Sequence, residues 1–385
     1  MKPLFRQVQP SVTMGFDQQA RELAAAGRDI LNLTAGQVDL PMPEAGKRAV
    51  EKALIEDRTG YVPATGSSKV KAAVRKRMGW DEGEVLISAG AKPLLNAAVA
   101  CLCGPGDEVI LPAPCYTSYP EMVRLAGGKP ILVLGEEDQS FVVSSQALER
   151  CITGRAKAVL LNNPVNPTGA VYGPKALQQI IDVCLKHDLY LIVDEVYSAF
   201  VYEGAFVSAY AFPAVRDRLI LVNSASKTYA MAGLRLGYAA APTSVAKAMG
   251  AYLSHALGCP CSTSEQAAMG ALAMDDSYGE QLKAIFRDRR DRLCRALAAI
   301  DGLKIKKNAG AFYLWLDVSS WDDDVSFCRK LLDREGVALT PGSAFCCPGY
   351  IRLAYTKDIS ALLEAAARMK RFVEQNYSNA SGVNR

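Results

Sequence analysis

The chain has 385 residues, half of them hydrophobic and 22% charged, with a formal net charge of +4. That length suits a large domain plus a smaller one, and that composition can bury a sizeable core. So mild a charge argues against nucleic acid as a partner, no apolar stretch reaches membrane-spanning length, and the N-terminal MKPLFRQVQPS lacks the apolar core of a secretory signal.

From about residue 85 to 240, strands alternate with helices. EVLISAG reads as a strand and PLLNAAVACLC as the helix after it. DEVILPAP, KPILVLGE and KAVLLNNP read as strands. In the helix GPKALQQIIDVCLKH, the residues Leu177, Ile180, Ile181 and Cys184 share one face. LYLIVDEVY, RLILVNSAS and LRLGYAAAP complete the strand series. Short apolar strands with helical crossovers imply an α/β fold with a mostly parallel sheet covered on both faces. Beyond about residue 280 come a long amphipathic helix, QLKAIFRDRRDRLCRALAAI, then the strands GAFYLWLDV and IRLAY, and a last helix, ALLEAAARMKRFVEQ. This texture suggests a separate α+β lobe.

The eleven cysteines are scattered and form no CxxC. Cys101, Cys103, Cys184 and Cys294 fall in helical apolar patterns, where cysteine acts as a small hydrophobe. A reducing cytoplasm is expected, with the sequons at Asn376 and Asn379 inert in a polar, frayed tail. Only His187 and His255 are present, and neither sits in a constellation for a metal or a triad, so no metal is expected.

Polar residues gather at the ends of consecutive predicted strands. KAVLL runs into NNPVNPTG, LYLIV into Asp194 and Tyr197, and LILV into Ser224, Ser226 and Lys227, with Arg235 eight residues on; EVLIS is followed by Gly90, Ala91 and Lys92. In α/β sheets such strand ends converge on one cleft. Taken singly, each has a plainer explanation. Lys227 could be a snorkelling lysine, Asp194 a helix cap, NPTG a turn, Lys92 a solvated first-turn residue and Thr13 a cap. Together they offer an amine, a carboxylate, a phenol, an amide, hydroxyls, a guanidinium and a helix N-terminus, a set suited to an aromatic, nitrogenous, phosphorylated ligand.

The chain resembles the class I/II aminotransferases, fold-type I enzymes dependent on pyridoxal 5'-phosphate (PLP), and is most similar to their bacterial aspartate/prephenate subgroup. The resemblance runs in order through PSVT, LTAGQVD, GYVPATG, SAGAK, NPTGAVY, DEVY, SASKTYAMAGLRLGY, GAFY, PGSAF and YIRLAY. It implies a large PLP-binding domain over 41–280, and a small domain built from 1–40 and 281–385. It also implies that Lys227 condenses with the PLP aldehyde and afterwards shuttles a proton. Asp194 would face the pyridine nitrogen, while Asn166 and Tyr197 would donate to the phenolic oxygen. Ser224, Ser226, Arg235 and the N–H groups of Gly90, Ala91 and Lys92 would hold the phosphate, and Tyr116 would stack on the ring. Tyr61 would reach a partner's phosphate across a homodimer.

Toward substrate, the resemblance gives Arg352 and Gly36 to the α-carboxylate, with help from Asn166, and Thr13 and Lys92 to the distal carboxylate of an acidic amino acid. Two departures bear on specificity: GQVDLPMP stands where the family usually has GEPDFxTP, and the segment around 71–90 is several residues short. The expected activity is amino transfer from an acidic amino acid to a 2-oxo acid by a ping-pong mechanism. Another PLP reaction on the same scaffold, such as a β-lyase, decarboxylase or cyclase, is the alternative.

Overall fold

The computed structural model describes residue 8 and residues 12–377. Most of the N-terminal stretch MKPLFRQVQPS, the first half of PSVT, the sequon at Asn379 and the tail beyond it lie outside the described residues.

Twelve strands are present among the described residues: β1 (Leu31–Asn32), β2 (Glu84–Ser88), β3 (Glu108–Ala113), β4 (Lys129–Leu134), β5 (Ala156–Asn162), β6 (Tyr190–Asp194), β7 (Leu219–Ser224), β8 (Gly237–Ala241), β9 (Tyr313–Asp317), β10 (Val337–Ala338), β11 (Thr340–Pro341) and β12 (Tyr350–Ala354). Seven of them form the central sheet in the order β2-β8-β7-β6-β5-β3-β4. Each central strand alternates between two cores. Val159, Leu161, Leu191, Val193, Leu219 and Leu221 pack on one face. Their neighbours Ala158, Leu160, Ile192, Ile220 and Val222 pack on the other. Period-two alternation with both faces covered is why these strands read as unbroken apolar runs.

The predicted helix after β5 spans Pro174–Lys186, with proline in its first turn and Leu177, Ile180, Ile181, Val183 and Cys184 buried. Full burial of each Leu or Ile contributes roughly 1.5–3 kcal/mol.

Sequence did not reveal the direction of β8. It runs antiparallel to both of its neighbours, β2 and β7. The linker from Ser224 to Gly237 holds only the four-residue helix Ala225–Thr228 and a single 3-10 turn, not the long helical crossover a parallel strand usually has. The reversal brings the residues before β8, Arg235 among them, to the same edge of the sheet as the carboxyl ends of β5, β6 and β7.

The C-terminal strands form a separate antiparallel sheet, β11-β12-β9. β9 is shorter than GAFYLWLDV because Ala311 adopts a left-handed backbone (φ 55°) just ahead of it. Its core holds Phe286, Leu293, Phe312, Leu314, Phe327, Ile351, Leu353 and Phe372. The N-terminal segment joins this region: β1 pairs in parallel with β10, Leu31 beside Val337.

Candidate active site

Where β5, β6 and β7 end, the chain opens a cavity of about 310 Å3. Its floor is set by strand register. Asn162 and Asp194 are paired positions on β5 and β6, and the Asn162 side chain donates to the Asp194 carbonyl at 2.8 Å. Asn162 also accepts the Asn166 N–H at 2.7 Å, which ties the NPTG turn to the strand end. Asp194 itself is 5% exposed. One carboxylate oxygen accepts from the Tyr119 hydroxyl at 2.8 Å and the other from the Val196 N–H at 3.2 Å. Burial pushes its pKa up to about 6, against the lowering effect of those donors and of Lys227. Above that pH the carboxylate is charged and faces the cavity.

Lys227 follows β7 in the short helix Ala225–Thr228 and lines the same cavity. Burial, with the nearby Arg352 and Arg235, lowers its pKa to about 8, while Asp194 acts the other way. Its ammonium donates to the Gly36 carbonyl at 2.5 Å. A Cβ on Gly36 would stand 1.8 Å from the Tyr313 hydroxyl, so only glycine lets that backbone approach.

One end of the cavity is built for an anion. Ser224 and Ser226 sit at the β7 terminus, and Ser224 Oγ accepts the Ser226 N–H at 3.3 Å. Arg235, in a left-handed conformation (φ 54°), aligns its guanidinium on the carbonyls of Ala232 and Ala89 at 2.9 and 3.3 Å. Ala91 and Lys92 open the helix Ala91–Leu102, whose first N–H groups have no partner within the helix. Gly90 corrects the sequence expectation. Its N–H is engaged by the Ser88 carbonyl at 2.7 Å, because the turn after β2 closes on itself. Gly90 serves instead by lacking a side chain, since a Cβ there would lie 2.6 Å from Arg235 Nη2.

The other end is cationic. Arg352, on β12, is 4% exposed. Its Nη1 donates to Asn166 Oδ1 at 2.9 Å and its Nη2 to the Thr34 carbonyl at 2.5 Å. The guanidinium lies between the rings of Tyr313 and Phe345, at 4.5 and 4.7 Å from their centroids. Nε has no partner among the described residues, and no carboxylate there pairs with this arginine. A buried guanidinium left this way is matched to an anionic ligand. The hydroxyls of Tyr197 and Tyr313 bond each other at 2.9 Å, and Asn166 Nδ2 donates to the Tyr197 hydroxyl at 3.5 Å. Tyr116 lines the cavity with Lys92 Nζ 5.5 Å over its ring, and Thr13 lines it from the helix Val12–Ala25.

Tyr61 stands apart, fully exposed and away from this cavity. Sequence reasoning missed Tyr119, Tyr313, Thr34 and Asn162. Tyr313 lies in the quoted GAFY without a role, and Tyr119 follows Tyr116 by three residues, a closeness that could have flagged it.

The sequence profile of the family described as "Aminotransferase class I and II" matches residues 28–369. An aspartate aminotransferase of Geobacillus stearothermophilus is 37% identical, over 95% of this chain and 96% of that protein. An aspartate/prephenate aminotransferase of Thermus thermophilus is 36% identical, over 96% of this chain and 99% of its own length. A solved structure of Thermus thermophilus aspartate aminotransferase with maleate superposes with a TM-score of 0.92 at 35% identity, covering 96% of this chain and 99% of that one.

Proposed function

The chain belongs to the class I and II aminotransferases and is a PLP-dependent aminotransferase; on that premise we propose that it takes the amino group of an acidic amino acid, aspartate foremost, and delivers it to a 2-oxo acid in two half-reactions. The acidic preference draws on the relatives' names and on the cations at both ends of the cleft.

The cleft fits the cofactor. Asp194 is a buried carboxylate with a lone pair to offer a pyridinium N–H, Lys227 is an amine partly relieved of its proton near neutral pH, and the space at Gly90 keeps a guanidinium beside a helix N-terminus. Bound there, PLP supplies an aldehyde that exchanges amines and a ring that withdraws electrons from the substrate Cα.

The chain's residues do the rest. Asp194, ionised above about pH 6, holds the proton on the ring nitrogen. Asn166 and Tyr197 hold the phenolic oxygen, and Tyr116 covers one face of the ring. Ser224, Ser226, Arg235 and the N–H groups of Ala91 and Lys92 hold the phosphate. Arg352 takes the substrate α-carboxylate, with Gly36 and Asn166 beside it, and so fixes the orientation of Cα. Lys227 moves the proton from Cα, its lowered pKa suiting a general base near neutral pH. Thr13 and Lys92 read the distal carboxylate.

The proposal extends to the assembly. Tyr61, exposed on one chain, would complete the phosphate site of a second copy in a homodimer. The large domain covers 41–280 and the small one combines 1–40 with 281–385, a division supported by the β1–β10 pairing. No helix among the described residues is long and apolar enough to cross a membrane, which accords with a cytoplasmic enzyme.

The observation that carries this reading is that Lys227, Asp194 and an Arg352 with an unpartnered Nε line one cavity. Incubation with aspartate and 2-oxoglutarate tests it. Oxaloacetate and glutamate should appear in equal amounts. Alanine and carbon dioxide, formed without need of an oxo acid, would refute it in favour of a decarboxylase.

A further inference from the structure

A second cavity, of about 260 Å3, lies between the turn around Thr168, the segment 304–309 and strands β9 and β12. We propose that it binds a small aromatic acid bearing a hydroxyl group.

Two of its lining side chains carry buried polar atoms without a partner among the described residues, Trp315 Nε1 and Asn308 Oδ1. Trp315 is 7% exposed and Asn308 6%. One atom is a donor and the other an acceptor. Turning the Asn308 amide over does not relieve it, because its Nδ2 already donates to the Gly310 carbonyl at 2.5 Å and to the Tyr355 hydroxyl at 2.8 Å. Buried polar atoms left in this way are rare and penalised by their lost hydration. A ligand hydroxyl has both complements: it accepts from an N–H and donates to a carbonyl oxygen.

The walls favour a flat molecule. Phe141 stands edge-on to Trp315 (6.5 Å, 88°) and to Tyr350 (5.4 Å, 90°), while Trp315 and Tyr350 stack at 5.4 Å and 4°. Phe141 is held at φ 62°, a conformation costly for an aromatic residue. The rim is mildly cationic, with Lys304, Lys306 and Lys307 against the carboxylates of Glu137 and Asp317. Glu137 already accepts from the Tyr350 hydroxyl at 3.0 Å, and Asp317 from the Ser319 hydroxyl at 2.6 Å. Lys307 is paired with Asp291 at 2.8 Å. Lys306 donates only to the carbonyls of Glu137 and Asp138, so its charge and that of the exposed Lys304 meet no carboxylate among the described residues.

This cavity backs onto the first. Phe345 packs edge-on against Trp315 at 5.7 Å and lies against the Arg352 guanidinium on its other side. Thr168 and Gly169 continue the turn that carries Asn166, the acceptor for Arg352. An occupant is therefore felt at the substrate arginine, chiefly as a change in KM for the amino acid.

The test titrates the PLP-loaded enzyme with 4-hydroxybenzoate, read by calorimetry, with and without saturating succinate to fill the substrate cleft. Saturable binding of one molecule per chain is expected, undiminished by succinate, with benzoate at least fivefold weaker for want of the hydroxyl. Trp315→Phe should weaken binding at least tenfold. A Lys304→Ala, Lys306→Ala double change, on the exposed rim, should weaken it at least threefold, and carries the test if the tryptophan variant does not fold. Displacement by succinate, equal binding of benzoate, or no saturable binding would overturn the proposal, leaving the cavity to water.

Discussion

The floor and the roof of the cleft are made differently. The floor comes from neighbouring strands of one sheet, and its polar groups satisfy one another. Asn162 holds the Asp194 backbone and the Asn166 N–H, while Tyr119 and Val196 hold the two Asp194 oxygens. The roof comes from residues far apart in sequence, Thr34, Gly36, Tyr313 and Arg352, and it keeps an unpartnered guanidinium nitrogen in a buried place. A satisfied network preorganises its charge. An unsatisfied one waits for a ligand that comes and goes. The contrast matches a resident cofactor below and an exchanging substrate above.

The contrast breaks most visibly at Lys227, whose amine spans both parts by donating to Gly36. Lys227→Ala should lower kcat by at least about 10^3-fold with an unchanged circular dichroism spectrum. A variant that retains turnover would remove the amine from the chemistry. At the roof, Arg352→Leu should cost about 10^2–10^3-fold in kcat/KM, while PLP stays bound after dialysis. Loss of PLP would mean that roof and floor are not separable. At the floor, Tyr119→Phe removes a donor that lowers the Asp194 pKa, so that pKa rises further and less carboxylate is ionised at pH 6. Activity should fall roughly tenfold, and the acid limb of the pH–rate profile should move to higher pH; an unmoved limb would detach Asp194 from it. Lys92→Ala should lower kcat/KM for aspartate at least about tenfold and for alanine much less; equal losses would discard the distal-carboxylate assignment.

The smallest effect belongs to Glu195, which follows Asp194 but does not line the cavity. Glu195 Oε1 accepts from Ser208 and from the Ala209 N–H, but Oε2 has no partner among the described residues. Burial raises its pKa from 4.5 to about 8. A raised folded-state pKa means the stabilising contribution is complete below pH 4.5 and lost as pH climbs through 8. Thermal unfolding should therefore show Glu195→Gln losing less stability than the parent between pH 5 and pH 9. Parallel curves would leave Glu195 ionised throughout.

Sequence made the floor legible and the roof half so. Strands buried on both faces announce themselves as apolar runs, and the polar residues at their ends stand out by contrast, which is how Asp194, Ser224, Ser226 and Lys227 could be gathered into one cleft. Arg352 was visible as a lone charge on an apolar strand. Tyr119 and Tyr313 were not, because a tyrosine among apolar neighbours looks like any core aromatic until its hydroxyl finds a partner. The direction of β8 depends on hydrogen bonds between segments, which no local pattern encodes.

The central claim is that the amine of Lys227 and the carboxylate of Asp194 serve one cofactor from within the same cavity. Borohydride reduction of the PLP-loaded protein, followed by peptide mass mapping, tests it most directly. The reduced cofactor should be found on the peptide containing Lys227, and labelling there should weaken in Asp194→Ala. A label on another lysine, or none, would contradict the account.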